Sequence, residues 1–221
     1  MNNVIERDDL PKVAIDLLTK ERTELAVRTI HQCLRHLKYE GSLYFFVTDN
    51  GSSGEHVQRV LDTIPTPYYL GHLSQGGKIG ACWNAGLRRI FEFTDYYIRL
   101  EDDMQLKAEL DITRYVKVMM TNPEVGMVRL GQMVVDLPFF SQKFKIVTHI
   151  GYEEDMFLRV QKWDQYCYSG HPALIKKSFH DYYGYFAEEK LSAGELEVQM
   201  DSKVRNNAGP DIYFPWDGDR S

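Results

Sequence analysis

The chain has 221 residues, of which 43% are hydrophobic and 26% charged, which excludes long disorder and fits one sizeable core. With 26 Lys+Arg against 32 Asp+Glu the formal net charge is −6, so no overall basic balance exists for docking on a polyanion, although a local basic groove stays open. No apolar run reaches the roughly 18–20 residues that cross a bilayer, and Met1 to Asp9 lacks a basic-then-apolar leader, so no transmembrane segment and a cytoplasmic location are expected.

In chain order, the apolar run Val13 to Leu18 reads as a buried strand, followed by a helix with Ala26, Ile30, Cys33, Leu34 and Leu37 on one face. Leu43 to Val47 is a second strand, ended by the turn formers Asp49-Asn50-Gly51-Ser52-Ser53. A short helix with Val57, Val60, Leu61 and Ile64 follows, then a brief strand Tyr68-Tyr69-Leu70 and a Gly76-Gly77-Lys78 loop. That loop leads into a helix bearing Ile79, Trp83, Leu87, Ile90 and Phe91, and the next strand, Tyr96 to Leu100, stops at Glu101-Asp102-Asp103. Alternating strands and helices predict an α/β fold with a mainly parallel sheet flanked by helices. A helix around Leu110 to Met120 and a strand around Val125 to Leu130 continue it, and residues 131–168 read as extended segments and loops. Ser192-Ala193-Gly194-Glu195 has capping-box spacing and predicts a helix running toward Asn206-Asn207. Cys33, Cys82 and Cys167 show no metal or redox spacing and read as buried thiols.

Ligands of open α/β sheets gather at the carboxyl ends of the strands, which is where Glu101-Asp102-Asp103 falls. Continued strand alternation would put Glu101 and Asp103 on one side and turn Asp102 to the other. Such carboxylates, completed by phosphate oxygens, are hard ligands suited to Mn²⁺ or Mg²⁺, but acidic turns after strands are also common without any ligand. Asp49-Asn50-Gly51-Ser52 is likewise good turn chemistry by itself, and Trp83 on an apolar helical face reads equally well as core.

Three features in order, Val47-Thr48-Asp49-Asn50-Gly51-Ser52-Ser53, then Gly80-Ala81-Cys82-Trp83-Asn84-Ala85-Gly86, then Leu100-Glu101-Asp102-Asp103, resemble the nucleotide-sugar half of GT-A fold glycosyltransferases of the family 2 type. The resemblance covers about residues 13–130, with a weaker echo to 205. It implies one GT-A domain over 1–221, with a nucleotide-sugar half at 13–130 and a smaller, less regular acceptor half at 131–221. It implies a metal-dependent transferase using a nucleotide-sugar, with UDP favoured, and an acceptor hydroxyl on a glycan or small molecule. Asp49 would contact the nucleobase, with Thr19 to Arg22 beside the nucleoside. Glu101 would face ribose or sugar, Asp102 would belong to the donor site and Asp103 would be the main metal ligand. Trp83 departs from the family's Arg before Asn84, leaving the donor contacts of that helix open, and Lys78 could replace that Arg as a phosphate partner. An inverting transfer needs a carboxylate base, for which Glu195 and Glu197 are the candidates, with Glu195 slightly preferred although it has the capping position.

The aromatic stretch Tyr166, Cys167, Tyr168, His171, His180, Tyr182, Tyr183, Tyr185 and Phe186 could line an acceptor pocket or pack a core. Two other readings remain. The acceptor could be a hydroxylated DNA base, reached along Lys143, Lys145, Arg159, Lys162, Lys176 and Lys177, or the chain could bind a nucleotide-sugar without catalysis. A nucleotidyltransferase is less favoured, because no basic glycine-rich signature follows the first strand.

Overall fold

A computed structural model describes residues 9–130, 144–148, 156–162 and 167–215. Its first strand, β1 (Val13–Thr19), is buried at every position because helices cover both faces, as in the centre of a parallel sheet. Val13, Ile15 and Leu17 face one core and Ala14 and Leu18 the other. Helix α1 (Thr23–His36) lays Ala26, Ile30 and Cys33 on the first core. The short β2 (Leu37–Lys38) leads to β3 (Leu43–Asp49), α2 (Gly54–Asp62), a single 3₁₀ turn at Thr66–Tyr68 and β4 (Tyr69–Ser74). Then come α3 (Ile79–Ile90) and β5 (Tyr96–Glu101), each close to its expected bounds.

The helix expected from Leu110 begins later. Leu110–Asp111 forms β6, paired with β2, and the Asp111 carboxylate accepts from Thr113 N at 2.8 Å, so α4 (Thr113–Thr121) starts beyond it. After β7 (Val125–Arg129) the described chain forms β8 (Phe144–Thr148), β9 (Met156–Val160), β10 (Ala173–Lys176), α5 (Lys177–Tyr183), α6 (Ala193–Asn206) and β11 (Asp211–Pro215). The capping box holds: Ser192 Oγ accepts from Glu195 N at 3.3 Å, and the Glu195 carboxylate accepts from Ser192 N at 2.8 Å.

One sheet of nine strands runs β4-β3-β1-β5-β10-β7-β11-β9-β8. It is parallel from β4 through β5, as expected, and becomes mixed where β10 lies antiparallel between β5 and β7. Residue 130 therefore divides the sequence but not the sheet, since β10 and β11 come from the later half. Helices α1, α2 and α4 bury one face, and α3, α5 and α6 the other. Tyr168, Phe179, His180, Tyr183 and Phe186 belong to this second core, so most of the described aromatic stretch is packing and not pocket; Tyr182 is exposed and Tyr166 lies outside the described residues. Cys33, Cys82 and Cys167 are buried thiols.

The family-like helix α3 sits unusually close to β3. A Cβ at Gly86 would stand 2.3 Å from Thr48 Oγ1, and that short, buried side chain cannot swing away while it donates to Asp16 Oδ1 at 2.6 Å. Gly86→Ala is expected to lower unfolding free energy by about 1–3 kcal/mol, the usual range for overpacking. Urea unfolding reads it directly, and an unchanged midpoint would show that the helix can retreat at no cost.

Asp16 is 2% exposed, and burial pushes its carboxyl up to about 6 against the lowering effects of Thr48 and Arg99. An acid raised in the folded state keeps a proton that the unfolded chain has already lost, so stability declines as pH rises from about 4 to about 6. Asp16→Asn preserves an acceptor for Thr48 and removes that decline, giving up to about 3 kcal/mol above pH 6 and nothing near pH 4. Superimposable stability-against-pH curves for variant and parent would refute it. His180 acts oppositely: burial pushes its imidazole down to about 4, so its neutral form stabilises the fold above the ordinary histidine value and is lost toward acid.

Candidate active site

The sheet register brings three expected site residues to one edge. Thr19 of β1 lies opposite Asp49 of β3, and Leu18 lies opposite Glu101 of β5. Backbone bonds continue the alignment into the loops: Asn50 N donates to Thr19 O at 3.0 Å and Asp102 N to Leu18 O at 3.1 Å.

Beyond Glu101 the strand alternation ends, because Met104 N closes a turn on Glu101 O at 3.1 Å. Asp102 and Asp103 still part, as expected, but through this turn and not through strand alternation. Asp102 is turned inward and is fully buried, where its Oδ2 accepts from Thr19 Oγ1 at 3.1 Å and Lys20 N at 3.2 Å. Asp103 points out to solvent, half exposed. Arg22, at the start of α1, joins the two, reaching Asp102 Oδ1 at 2.5 Å and Asp103 Oδ2 at 2.8 Å. Burial works against the Arg22 charge, but Asp102 and Asp103 outweigh it and strengthen its hold on the proton. Burial raises the Asp102 carboxyl, and the Lys20 amide and Arg22 oppose it. Thr29 Oγ1 of α1 fastens the turn by donating to Met104 O at 2.7 Å and lying 3.0 Å from Asp102 O.

His56 of α2 supports this arrangement, although nothing in the sequence marked it. Its two ring nitrogens lie 2.9 Å from Thr19 Oγ1 and 2.7 Å from Thr23 Oγ1, so it ties β1 and α1 to the Asp102 turn. Glu21, inside the expected Thr19–Arg22 loop, was not singled out by the sequence. It takes φ +52, a conformation that non-glycine residues adopt rarely, while its N–H donates to Ser52 Oγ at 2.9 Å and its carboxylate accepts from Ser53 N. These contacts close the β1 and β3 loops onto each other.

Asp49 is fully buried beneath its own turn, where it accepts from Gly51 N at 3.1 Å, Ser52 N at 3.1 Å and the hydroxyls of Ser52 and Ser74. Burial pushes its carboxyl up, yet these hydrogen bonds prevail and hold it below the ordinary aspartate value. A nucleobase contact from this carboxylate requires one of those bonds to yield. Gly51 has φ +78, and a Cβ there would stand 2.6 Å from Gly76 Cα, so only glycine lets the β3 turn meet the Gly76-Gly77 loop. Lys78 follows that loop, exposed at the first turn of α3.

Asn84 does not face this space. It is 1% exposed, with Nδ2 donating to Phe186 O and Glu188 Oε1, both at 2.9 Å, and Oδ1 accepting from Phe186 N at 3.0 Å. The sequence assigned it a donor contact; its position makes it a brace for the segment before α6. Trp83 is core, as its alternative reading had it, and carries the Arg99 guanidinium 3.7 Å above its ring.

The two candidate bases separate. Glu195 is fully exposed and committed to the capping box, whose Ser192 N–H and hydroxyl lower its carboxyl. Glu197 is half-buried, and its Oε1 accepts from Gly170 N at 2.7 Å. Through β10, Gly170 reaches the Glu101 end of the sheet, because Ala173 pairs with Arg99 of β5. This favours Glu197 over the Glu195 preferred from sequence.

The proposed basic channel is not assembled by its described members. Lys176 pairs with Tyr96 at the opposite end of β5 and donates to Met119 O, and Lys177 pairs with Asp181. Arg159 and Lys162 both pair with Asp211. Lys143 and the Lys145 side chain lie outside the described residues.

Among the described residues no three His, Cys, Asp or Glu side chains converge as a metal cluster. The donor set nevertheless suits a divalent cation that keeps phosphate oxygens in its shell: carboxylates of Asp102 and Asp103 already converge on one positive group, the Arg22 guanidinium. No helix among the described residues is long and apolar enough to cross a membrane.

Neither a family model nor a curated protein matches the sequence. Solved structures do. The chain aligns over 99% of its length with the mannosyltransferase PcManGT from Pyrobaculum calidifontis, in complex with GDP-Man and Mn²⁺, at 14% identity and TM-score 0.60. It aligns over 94% with GalNAc-T7, in complex with UDP, GalNAc and Mn²⁺, at 11% identity and TM-score 0.66. It aligns over 92% with residues 1–349 of S. aureus TarS, at 14% identity and TM-score 0.59. The chain spans 60%, 43% and 60% of those three chains, respectively. At these identities the likeness establishes architecture, and the architecture of this chain is the GT-A fold.

Proposed function

We propose that this chain is a metal-dependent glycosyltransferase that moves a sugar from a nucleotide-sugar, a UDP-sugar in the first instance, to an acceptor hydroxyl with inversion. The observation that carries the reading is the shared edge of Thr19, Asp49 and Glu101, with Asp102, Arg22 and Asp103 at its mouth, in a GT-A frame.

In this reading the nucleoside lies between the Thr19–Arg22 loop and the Asp49 turn, Glu101 meets the ribose or sugar, and Lys78 approaches the phosphates. Asp103, the most accessible carboxylate of the triplet, is the main ligand for Mn²⁺ or Mg²⁺, with Asp102 beside it. When bound, such an ion neutralises charge on the departing diphosphate. Glu197 takes the proton of the acceptor hydroxyl as that oxygen bonds to the anomeric carbon, and the carbon–phosphate oxygen bond breaks, its electron pair leaving with the nucleoside diphosphate. PcManGT and GalNAc-T7, whose structures hold nucleotide or nucleotide-sugar with Mn²⁺, support the donor class and the metal. A DNA-base acceptor draws no support from the described lysines and arginines of its channel, which are engaged elsewhere.

Thermal unfolding with a panel of UDP-, GDP- and other nucleotide-sugars, with and without Mn²⁺, tests the reading, because a ligand of the native state raises its apparent stability. At a hundredfold excess over Kd the gain is about 2.7 kcal/mol. No metal-dependent shift with any donor would reject it. A shift without transfer or donor hydrolysis would favour a binding protein.

A further inference from the structure

The sequence departs from the GT-A glycosyltransferase pattern at Trp83, and the structure shows what Trp83 does. Arg99 of β5 stacks on its indole with the guanidinium carbon 3.7 Å from the ring centre, and Phe186 lies 5.2 Å from the same carbon. The guanidinium is 5% exposed, yet its polar ends reach toward the site. One nitrogen donates to Tyr168 Oη at 2.7 Å, another approaches Glu101 Oε1 at 3.4 Å, and Nε has no partner among the described residues. That second nitrogen and Glu197 Oε2 both flank Gly170: a Cβ built there would lie 3.5 Å from the first and 3.6 Å from the second. A buried guanidinium is an expensive group to retain without a task, and its planar fork fixes the geometry of its partners where a rotatable ammonium does not.

We infer that Arg99, held flat by Trp83, is the positioning residue of this site, fixing Glu101 from the donor side and bordering Glu197 from the acceptor side so that both carboxylates address the same gap. The inference rests on the glycosyltransferase reading above. It gives Trp83 a purpose in place of the family's arginine: the cation comes from β5 and the helix supplies its platform.

The test compares wild type with Arg99→Ala and Arg99→Lys, each checked for folding by circular dichroism. Arg99→Ala is expected to lower kcat on the order of 100-fold, the scale of a misplacement of about 1 Å, while donor KM moves less than threefold. Methylguanidinium, fitting the slot over Trp83, is expected to restore at least a tenth of wild-type kcat and to raise the Tm of Arg99→Ala but not of wild type. A folded Arg99→Ala with kcat within twofold of wild type overturns the inference, as does a kcat that methylguanidinium leaves unrestored. If Arg99→Ala does not fold, Arg99→Lys decides: it is expected to lose at least tenfold in kcat with donor KM kept, and retained kcat overturns the inference. Wild type that shows neither a metal-dependent donor shift nor transfer rejects the glycosyltransferase reading and the inference with it, whereas an active wild type with an unimpaired Arg99→Ala rejects the inference alone.

Discussion

Asp103→Asn is expected to abolish the Mn²⁺-dependent rise in melting temperature that a nucleotide-sugar produces, and to lower transfer by about 10³-fold. That loss corresponds to about 4 kcal/mol of transition-state charge stabilisation, the several-kcal/mol scale of a metal ion at a leaving group. Two features make the substitution a clean probe. Asp103 is half exposed, so its loss should change unfolding free energy by no more than about 0.5 kcal/mol, as for an ordinary surface position. Its present partner, Arg22, keeps Asp102, so the buried half of the triplet stays paired. Asp102→Asn is different in kind: it also weakens the bonds to Thr19 and Lys20 and loosens the β1 loop, so binding and stability fall together. If Asp103→Asn retained a metal-dependent donor shift equal to wild type, Asp103 would not be the metal ligand.

The second large effect separates the two glutamates of α6. Glu197→Gln is expected to lower kcat by 10²–10⁴-fold, the contribution of a positioned general base, with donor KM nearly unchanged. The amide can still accept from Gly170 N through its oxygen, so the loop before β10 stays in place. Glu195→Gln is expected to leave kcat within about threefold and to change stability little, because a capping glutamine still reaches the Ser192 N–H. The converse result, a collapse of kcat in Glu195→Gln with Glu197→Gln unaffected, would reverse the assignment.

The early half of the fold was legible because its signals are local. Val13–Leu18, Leu43–Val47 and Tyr96–Leu100 are runs of strand length that are apolar except for Asp16 and Arg99, and a central parallel strand buried on both faces reads as predominantly apolar. Ser192 and Glu195 meet through the backbone of one helical turn, so their spacing alone predicted their bonds. By contrast, β10 has four residues, too few for periodicity, and exists because β5 and β7 offer it two edges. Its insertion was invisible in the chain, as was the aromatic segment's role as core, which depends on which face of the sheet lies beneath it.

The order of the acidic turn, the Asn84 helix and Glu101-Asp102-Asp103 pointed, through its resemblance to a known family, to the GT-A architecture. Side-chain direction at the site edge of the sheet was decided only in three dimensions. Asp102 turns inward because the strand ends at Glu101 and a buried Thr19 and Lys20 N–H await it. Asn84 turns inward because the segment at Phe186 presents one donor and one acceptor to its amide. Arg99, His56 and Glu21 carried no motif, since each is defined by partners distant in sequence, from 31 to 69 residues away in the bonds to Ser52, Thr23 and Tyr168. Residue type and spacing specify what a local turn or helix will do; the partner of a buried charge is specified by the packing of the whole sheet.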